Sequence, residues 1–512
     1  MVGFVAGTVL LLVGASAATS ASTNLAWESG SAAVLPANAA TGKQQIVSLN
    51  SVSCASAGNC SAVGGYVDSS GNTQGLLMTE TAGIWATGVE AALPADAAAN
   101  PHVSLDLVSC ASAGNCSAVG GYADSSGNSQ LLLLTEADGV WEAGVAAALP
   151  ANARAGGGGL GAVSCASAGN CSAVGFYTTR SKNMEPLLLS EKAGSWATGV
   201  EAKLPANAAT RKQSAPLNSV SCASPGKCSA VGGYFDKSGN SQALLLNEKA
   251  GRWSPGVEGK LPANAAATHK YSGETVLLLA VSCASAGRCS AVGSYCAVRG
   301  CNRIGKGSGS SGEQGLLLTE KAGRWRTGVE AKLPANAAKT GPLQYLNSIS
   351  CASAGNCSAV GSYFDSSLKT HLVLLTEKAG HWAKGVKAAL PTNAAAAQAE
   401  LGVNSVSCSS AGNCTAAGTY SGSGQDNTHP LLLTETAGVW ARGVAVALPA
   451  NASAPSQYSW VTVSCAFAQD CSGAGFYADS SNGQQGLLLS NTTPSSLRRS
   501  ASSRRSPDPA RG

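Results

Sequence analysis

The chain has 512 residues, of which 12% are charged and 44% hydrophobic, with 62 glycines and a formal net charge of +5. Charge at about half the usual share excludes a coiled coil and a highly charged disordered chain. Length alone suggests three or four domains of average size, and the wealth of small side chains points to close-packed β-structure.

Residues 1–22 read as a secretory signal peptide. Val2 to Val13 is apolar and uncharged, and Ala15-Ser16-Ala17 offers small residues for cleavage. No Lys or Arg precedes the run. An uncleaved anchor is the rival reading, but the run is shorter than the roughly 20 residues a span requires. No later segment is long and apolar enough, so no integral span is expected once the leader is removed.

From residue 23 to 490 one unit recurs. Its first half is S-V-S-C-A-S-A-G-N-C-S-A-V-G-G-Y, at Ser51 to Tyr66, and its second half is Q-G-L-L-L-T-E-K-A-G-R-W-R-T-G-V-E-A-K-L-P-A-N-A, at Gln314 to Ala337. The first cysteines of successive units lie 56, 55, 57, 61, 68, 57 and 57 residues apart. A period of this size signals a solenoid, a propeller or an array. The first complete unit predicts four short strands. Leu49 to Cys54 leads through an Ala-Gly-Asn turn to Cys60 to Tyr66. Asp68-Ser-Ser-Gly-Asn72 is turn chemistry and precedes Gly75 to Glu80. Ala82-Gly83 then turns into Trp85 to Leu93, which Pro94 ends because it has no N–H for a ladder. Four strands with tight turns match one blade of a β-propeller, and almost no helix is expected.

The ends separate open from closed arrangements. Eight tryptophans share one place in the unit: Trp27, Trp85, Trp141, Trp196, Trp253, Trp325, Trp382 and Trp440. Trp27 precedes every Cys pair, while the last pair is followed by Gln485-Gly-Leu-Leu-Leu489 and no Trp. An orphan fourth strand at the start and three strands at the end join into an eighth unit. The expectation is therefore an all-β fold, a single eight-bladed propeller closed by an N-terminal outer strand, because closure removes the unpaired edges. An open solenoid, the alternative, requires capping units that the sequence does not show.

From about Trp27 to Leu489 the pattern resembles bacterial secreted β-propeller repeat proteins. The T-E-x-A-G-x-W hairpin is also loosely similar to the Asp-box hairpin of sialidase-type propellers, although the Asp is absent and the Trp comes one residue early. What this similarity implies is a blade turn.

The chain has 18 cysteines. Sixteen form Cys-x5-Cys pairs: Cys54/Cys60, Cys110/Cys116, Cys165/Cys171, Cys222/Cys228, Cys283/Cys289, Cys351/Cys357, Cys408/Cys414 and Cys465/Cys471. Each pair lies across the turn between the first two strands, where opposed Cα atoms are close enough for a disulfide. Cys296 and Cys301 are expected to close a small loop of their own. Such regular pairing points to an oxidising compartment. A metal site would need four converging ligands, usually more closely spaced, and no Cys-x-x-Cys serves a redox role. No cofactor or metal is expected. The repeated Trp reads as packing between blades, with sugar stacking as the alternative. Asn59-Cys60-Ser61 and its copies match the N-glycosylation pattern but overlap a disulfide in a tight turn, so the match is incidental.

The turns between strands one and two and between strands three and four share one face and vary little. The two-to-three loops and the blade-to-blade links share the other rim and hold the variation, and loops carry function more often than scaffolds do. The largest departure, Tyr295 to Gln314, is about eleven residues longer than its counterparts and carries Arg299, Arg303 and Lys306. The preceding link carries His269 and Tyr271. His269, Tyr271, Arg299, Arg303 and Lys306 are thus the candidate ligand-binding residues, for an anionic or sugar-like ligand. A merely decorated surface loop is the alternative.

The five histidines, His102, His269, His371, His381 and His429, form no close metal-spaced pair and read as solvated loop or hairpin residues. No nucleophile elbow, zinc-protease motif or phosphate loop occurs. Asp68, Asp124, Asp236, Asp365 and Asp479 recur as turn formers, whereas acid catalysis needs two carboxylates in different environments. No catalytic residue is assigned. Residues 491–512 form a basic tail, read as disordered, that holds +4 of the +5 charge, so the body lacks the basic excess a nucleic-acid binder would show. The chain is read as a secreted or cell-surface monomer that binds carbohydrate or an extracellular protein without catalysis. A sialidase-like glycoside hydrolase or polysaccharide lyase, and a purely structural envelope protein, are the alternatives.

Overall fold

The computed structural model describes residues 27–266, 276–297, 313–339, 343–396, 398, 400–423, 428–453, 459–467 and 470–491. Residues 1–26, the residues beyond 491 and the candidate residues His269, Tyr271, Arg299, Arg303 and Lys306, with Cys301, lie outside them. Eight antiparallel sheets form a ring, and the blades are numbered here by the order of their Cys pairs.

In blade 1 the strands are Val47–Ser56, Asn59–Val67 and Thr73–Thr81, each slightly longer than the sequence predicts. The outer strand differs from the expected Trp85 to Leu93. It comes in two pieces, Ile84–Trp85 and Val89–Glu90, both paired with the third strand. Trp85 opposes Glu80 and Val89 opposes Leu77, so three residues face two, which is a bulge. The bulge frees the Gly88 N–H, which donates to the Val34 carbonyl of the neighbouring blade at 2.7 Å. A Cβ at Gly88 would lie 2.6 Å from Leu76 Cδ1 and 2.8 Å from Met78 Sδ, so any larger residue would have to displace these core side chains. Gly30, Gly144, Gly199, Gly256, Gly328, Gly385 and Gly443 make the same bond at the other junctions.

A second ring runs around the axis. First strands pack on first strands of both neighbouring blades, so they are innermost. Their N–H groups on the axial side have no strand to pair with. The serine before each first cysteine meets this need, because its hydroxyl accepts the N–H of the first cysteine in the next blade. Ser53 thus accepts from Cys110, Ser109 from Cys165, Ser164 from Cys222 and Ser221 from Cys283. Ser282, Ser350, Ser407 and Ser464 serve Cys351, Cys408, Cys465 and Cys54, which completes the circle at 2.9–3.0 Å throughout.

Closure follows the expectation. The N-terminal strand Ser31–Ala32 pairs with the third strand of blade 8, Ser31 opposite Leu488 and Ala32 opposite Leu487. The Gly30 N–H reaches the Ala447 carbonyl of blade 7 at 2.8 Å. The core is divided between the junctions. Val63 and Leu77 of blade 1 pack on Val103, Leu105 and Leu132 of blade 2, all nearly inaccessible. The Leu-Leu-Leu strands bury both faces, as alternate residues serve opposite neighbours. No helix among the described residues is long and apolar enough to cross a membrane.

All eight Cys-x5-Cys pairs are disulfides with Cα atoms 4.0 Å apart. Cys296 is disulfide-bonded too. The second cysteine of each pair is buried, a detail the spacing does not reveal. Cys116, Cys414 and Cys471 are only 3%, 4% and 3% exposed. Each of their sulfurs packs against a hydroxyl of the preceding blade: Cys116 on Ser61 at 3.3 Å, Cys414 on Ser358 at 3.3 Å and Cys471 on Thr415 at 3.7 Å. These three cysteines line none of the surface clefts described below. They pack at the blade junctions, covered by the preceding blade.

The two rims separate as the sequence implies. Asp68 Oδ1 accepts the N–H groups of Ser70 and Asn72, and Oδ2 accepts the Gln74 amide, which fixes the two-to-three loop. The Ser69 N–H then donates to the Asn38 carbonyl in the preceding link, placing loop and link together. In blade 6, His371 takes the place of Gln74 and contacts Asp365 at 2.8 Å, so it is a strand residue with a partner rather than a solvated one.

Two stability measurements follow. Ser53→Ala orphans the Cys110 N–H and should lower unfolding free energy by about 1–2 kcal/mol in denaturant titration. Ala82 has φ +52°, a left-handed conformation that costs a non-glycine residue about 1 kcal/mol, so Ala82→Gly should raise the denaturation midpoint.

Candidate functional site

The hairpin face is built by contact between the two turns of each blade. The Gly83 N–H donates to the Gly58 carbonyl at 2.9 Å in blade 1, and the same clasp joins Gly251 to Gly226 and Gly323 to Gly287. A Cβ on Gly58 would sit 2.5 Å from the Gly83 nitrogen. The constancy of the two Ala-Gly turns therefore has a backbone cause. The Asn59 side-chain amide is consumed in the same turn, donating to Ser56 Oγ and the Ala57 carbonyl at 2.9 Å.

Beneath this face lies a circle of buried carboxyls: Glu80, Glu136, Glu191, Glu248, Glu320, Glu377 and Glu435. Hydroxyl or amide groups of the preceding blade reach most of them. Glu80 accepts from Ser472 and Ser490 at 2.7 Å, and Glu435 accepts from Ser358 and Thr376 at 2.6 Å. Asn491 stands in the eighth place. Desolvation pushes the carboxyls of Glu80, Glu136, Glu248, Glu320, Glu377 and Glu435 upward. Hydroxyl donors oppose the shift at Glu80, and Lys192 opposes it at Glu248.

Clefts open on the hairpin face between neighbouring blades. Equivalent ones occur at three consecutive junctions, with volumes of about 330 Å³ between blades 3 and 4, 410 Å³ between 4 and 5, and 180 Å³ between 5 and 6. The cleft between blades 4 and 5 is typical. One wall is Lys227, Cys228 and Asn247, the other is Cys283, Ala286 and Gly287, and Glu320 lies at the bottom. Lys249 overhangs it, with Nζ 3.5 Å from where a Cβ would sit on Gly323. Lys192 and Lys321 make the same reach to Gly251 and Gly380 at 3.8 and 3.5 Å. Beyond Lys249, a further cavity of about 350 Å³ is lined by Lys260, Arg324, Trp325 and Glu258. The arrangement offers cationic and amide donors above a buried carboxyl.

The tryptophans serve the junctions. Trp196 and Trp440 donate Nε1–H to Thr135 and Thr376 of the preceding blade at 3.3 and 3.2 Å, and Trp85 packs on the core shared by blades 8 and 1. These clefts lie on the face opposite the rim that the sequence favours. Sequence reasoning took the near-constant hairpins as scaffold alone. The available signal was the position after each buried Glu, which reads Thr81 and Ala137 in blades 1 and 2 but Lys192, Lys249, Lys321 and Lys378 in blades 3 to 6.

No family model matches the sequence, and no curated protein matches it. Solved structures it is similar to include a post-proline cleaving enzyme from Rickettsia typhi, at 10% identity and TM-score 0.42, covering 82% of this chain. The chain spans only 56% of that enzyme. An ulvan lyase, a polysaccharide lyase, is similar at 9% identity and TM-score 0.40 over 75% of this chain and 93% of the lyase. A Hadza microbial sialidase is similar at 10% identity and TM-score 0.34 over 88% of this chain and 66% of the sialidase. Their activities belong to those proteins and are not carried over on likenesses this distant.

The buried carboxyls set a pH dependence. A carboxyl raised in the folded state stabilises the fold fully below its unfolded value, about 4.3, and that stability is lost as pH rises through the folded value. The turn aspartates act oppositely. Hydrogen bonds from Gln74 and His371 hold Asp68 and Asp365 down at about 2, so their contribution is lost only as pH falls below about 4. The thermal midpoint should therefore peak near pH 4–5 and fall towards pH 8, and Glu80→Gln should flatten the fall. A midpoint that rises from pH 5 to pH 8 would contradict the assignment.

Proposed function

We propose that the protein is a secreted or cell-surface, disulfide-braced propeller that binds carbohydrate without catalysis, in the clefts between blades on its hairpin face. The recurrence of one cleft, with equivalent linings, at three consecutive junctions supports this reading. Catalysis requires groups held in distinct environments, whereas equivalent sites at fixed spacing suit multivalent capture of a repeating ligand. Clefts lined by Ser, Asn, Lys and small aliphatic groups offer the mixed polar and apolar contact that sugars require. The repeated disulfides fit an oxidising exterior.

Calorimetry against cell-wall polysaccharide fragments, chosen from a glycan array, tests the reading. More than one ligand should bind per chain, and Ala286→Trp, which fills the cleft between blades 4 and 5, should reduce that number. Absence of binding to every glycan, or turnover of fluorogenic glycosides, would contradict it, the latter in favour of a hydrolase.

A further inference from the structure

The hairpin face is electrically divided, although the net charge of the body conceals it. In blades 3 to 6 the position after the buried Glu is Lys192, Lys249, Lys321 and Lys378, and the residue before the second cysteine is Lys227 in blade 4 and Arg288 in blade 5. All six are exposed, and Lys192, Lys249 and Lys321 fold over the next blade's turn. The only carboxyls in the hairpin turns of these blades are the buried glutamates. In their place blade 2 carries Asp138 and Glu142 and blade 8 carries Glu28 and Asp470, and no lysine occurs in the hairpins of blades 1, 2, 7 and 8. Their one cation is Arg442, beyond the turn, which is engaged with the Leu390 carbonyl at 2.6 Å.

The lysines keep their charge available. None of Lys192, Lys249, Lys321 and Lys378 forms an ion pair with a described residue. The acids beneath the first three, Glu248, Glu320 and Glu377, are sealed in the core and form no ion pair with them; burial raises each carboxyl, and the charge of the lysine above offsets that shift only in part. Equivalent cations therefore recur blade by blade along an arc, and Lys192, Lys249 and Lys321 each line an inter-blade cleft. Such an array matches a chain molecule with regularly spaced negative charges better than it matches a folded partner.

We infer that the arc across blades 3 to 6 binds an acidic polysaccharide, with sugar units in the inter-blade clefts and their carboxylate or sulfate groups on Lys192, Lys249, Lys321 and Lys378. This rests on the carbohydrate-binding reading above and names its ligand class. A nucleic acid is also a regular polyanion, but binding single strands uses exposed aromatic platforms, and no aromatic residue lines any of the three clefts.

Biolayer interferometry on the full chain tests the inference, with polygalacturonate, a heparin-type sulfated polymer, neutral dextran and duplex DNA as probes. At least one acidic polysaccharide should bind, and more weakly as salt rises. Lys249→Ala/Lys321→Ala should lose about tenfold or more in affinity as two charge contacts disappear. Lys43→Ala/Lys182→Ala, on the opposite rim, should not. Equal loss in both variants, salt-insensitive binding or tighter binding to DNA would overturn the inference. Dextran binding that survives Lys249→Ala/Lys321→Ala would overturn it too, while leaving carbohydrate binding intact. Binding of no saccharide polymer would overturn both readings.

Discussion

Everything in this fold depends on how the free edges of eight separate sheets are satisfied. A four-stranded blade leaves an innermost strand with N–H groups facing the axis and an outer strand with nothing beyond it, and such edges invite pairing with other chains. Two concentric circles of hydrogen bonds answer this. Serine hydroxyls accept the cysteine N–H groups near the axis. Bulge glycines donate to the preceding blade's outer segment. Both circles connect neighbours only, and the outer one is incomplete unless the N-terminal strand occupies the eighth position. The Ala- and Ser-rich composition suits this design. Large buried side chains are supplied by the Leu triplets and by the second-strand tyrosines such as Tyr66 and Tyr177, and the hairpins are secured by disulfides and by glycine-to-glycine backbone contact.

Much of this architecture was legible in the residues. The period gave the units, Trp27 and the missing ninth copy after Leu489 gave the closure, and the cysteine spacing gave the disulfides. Spacing did not tell which cysteine of a pair is sealed in the core, because the hydroxyl that covers Cys116, Cys414 or Cys471 belongs to another blade. The split outer strand was not legible, because T-G-V reads as ordinary strand until a neighbouring carbonyl appears within reach of Gly88. The role of the serine before each cysteine was equally hidden, since its partner lies one whole unit further along the chain. His371 reads as a loop residue in isolation and acquires a partner only because its strand begins beside Asp365.

The candidate site shows the same limit from the other side. Variation in length is conspicuous in a sequence and directed attention to the rim carrying Arg299 and Arg303, whereas substitution at one position among near-identical hairpins is not. Lys249 and Lys321 line one arc only because consecutive blades stand side by side, and the acids that would cancel their charge are buried below. The carboxyls, hydroxyls and lysines thus form a layered arrangement, with structural groups inside and the proposed binding groups outside.

Ring closure is the central claim, and native-state hydrogen exchange tests it directly. The amides of Gly30 and Ala33 donate to Ala447 and Gly486 at 2.8 and 2.9 Å. They should be protected as strongly as those of Gly88 and Gly144, the counterparts of Gly30 at interior junctions. Exchange of Gly30 and Ala33 at the rate of an unstructured chain, with Gly88 and Gly144 protected, would show that the N-terminal strand does not seal the ring.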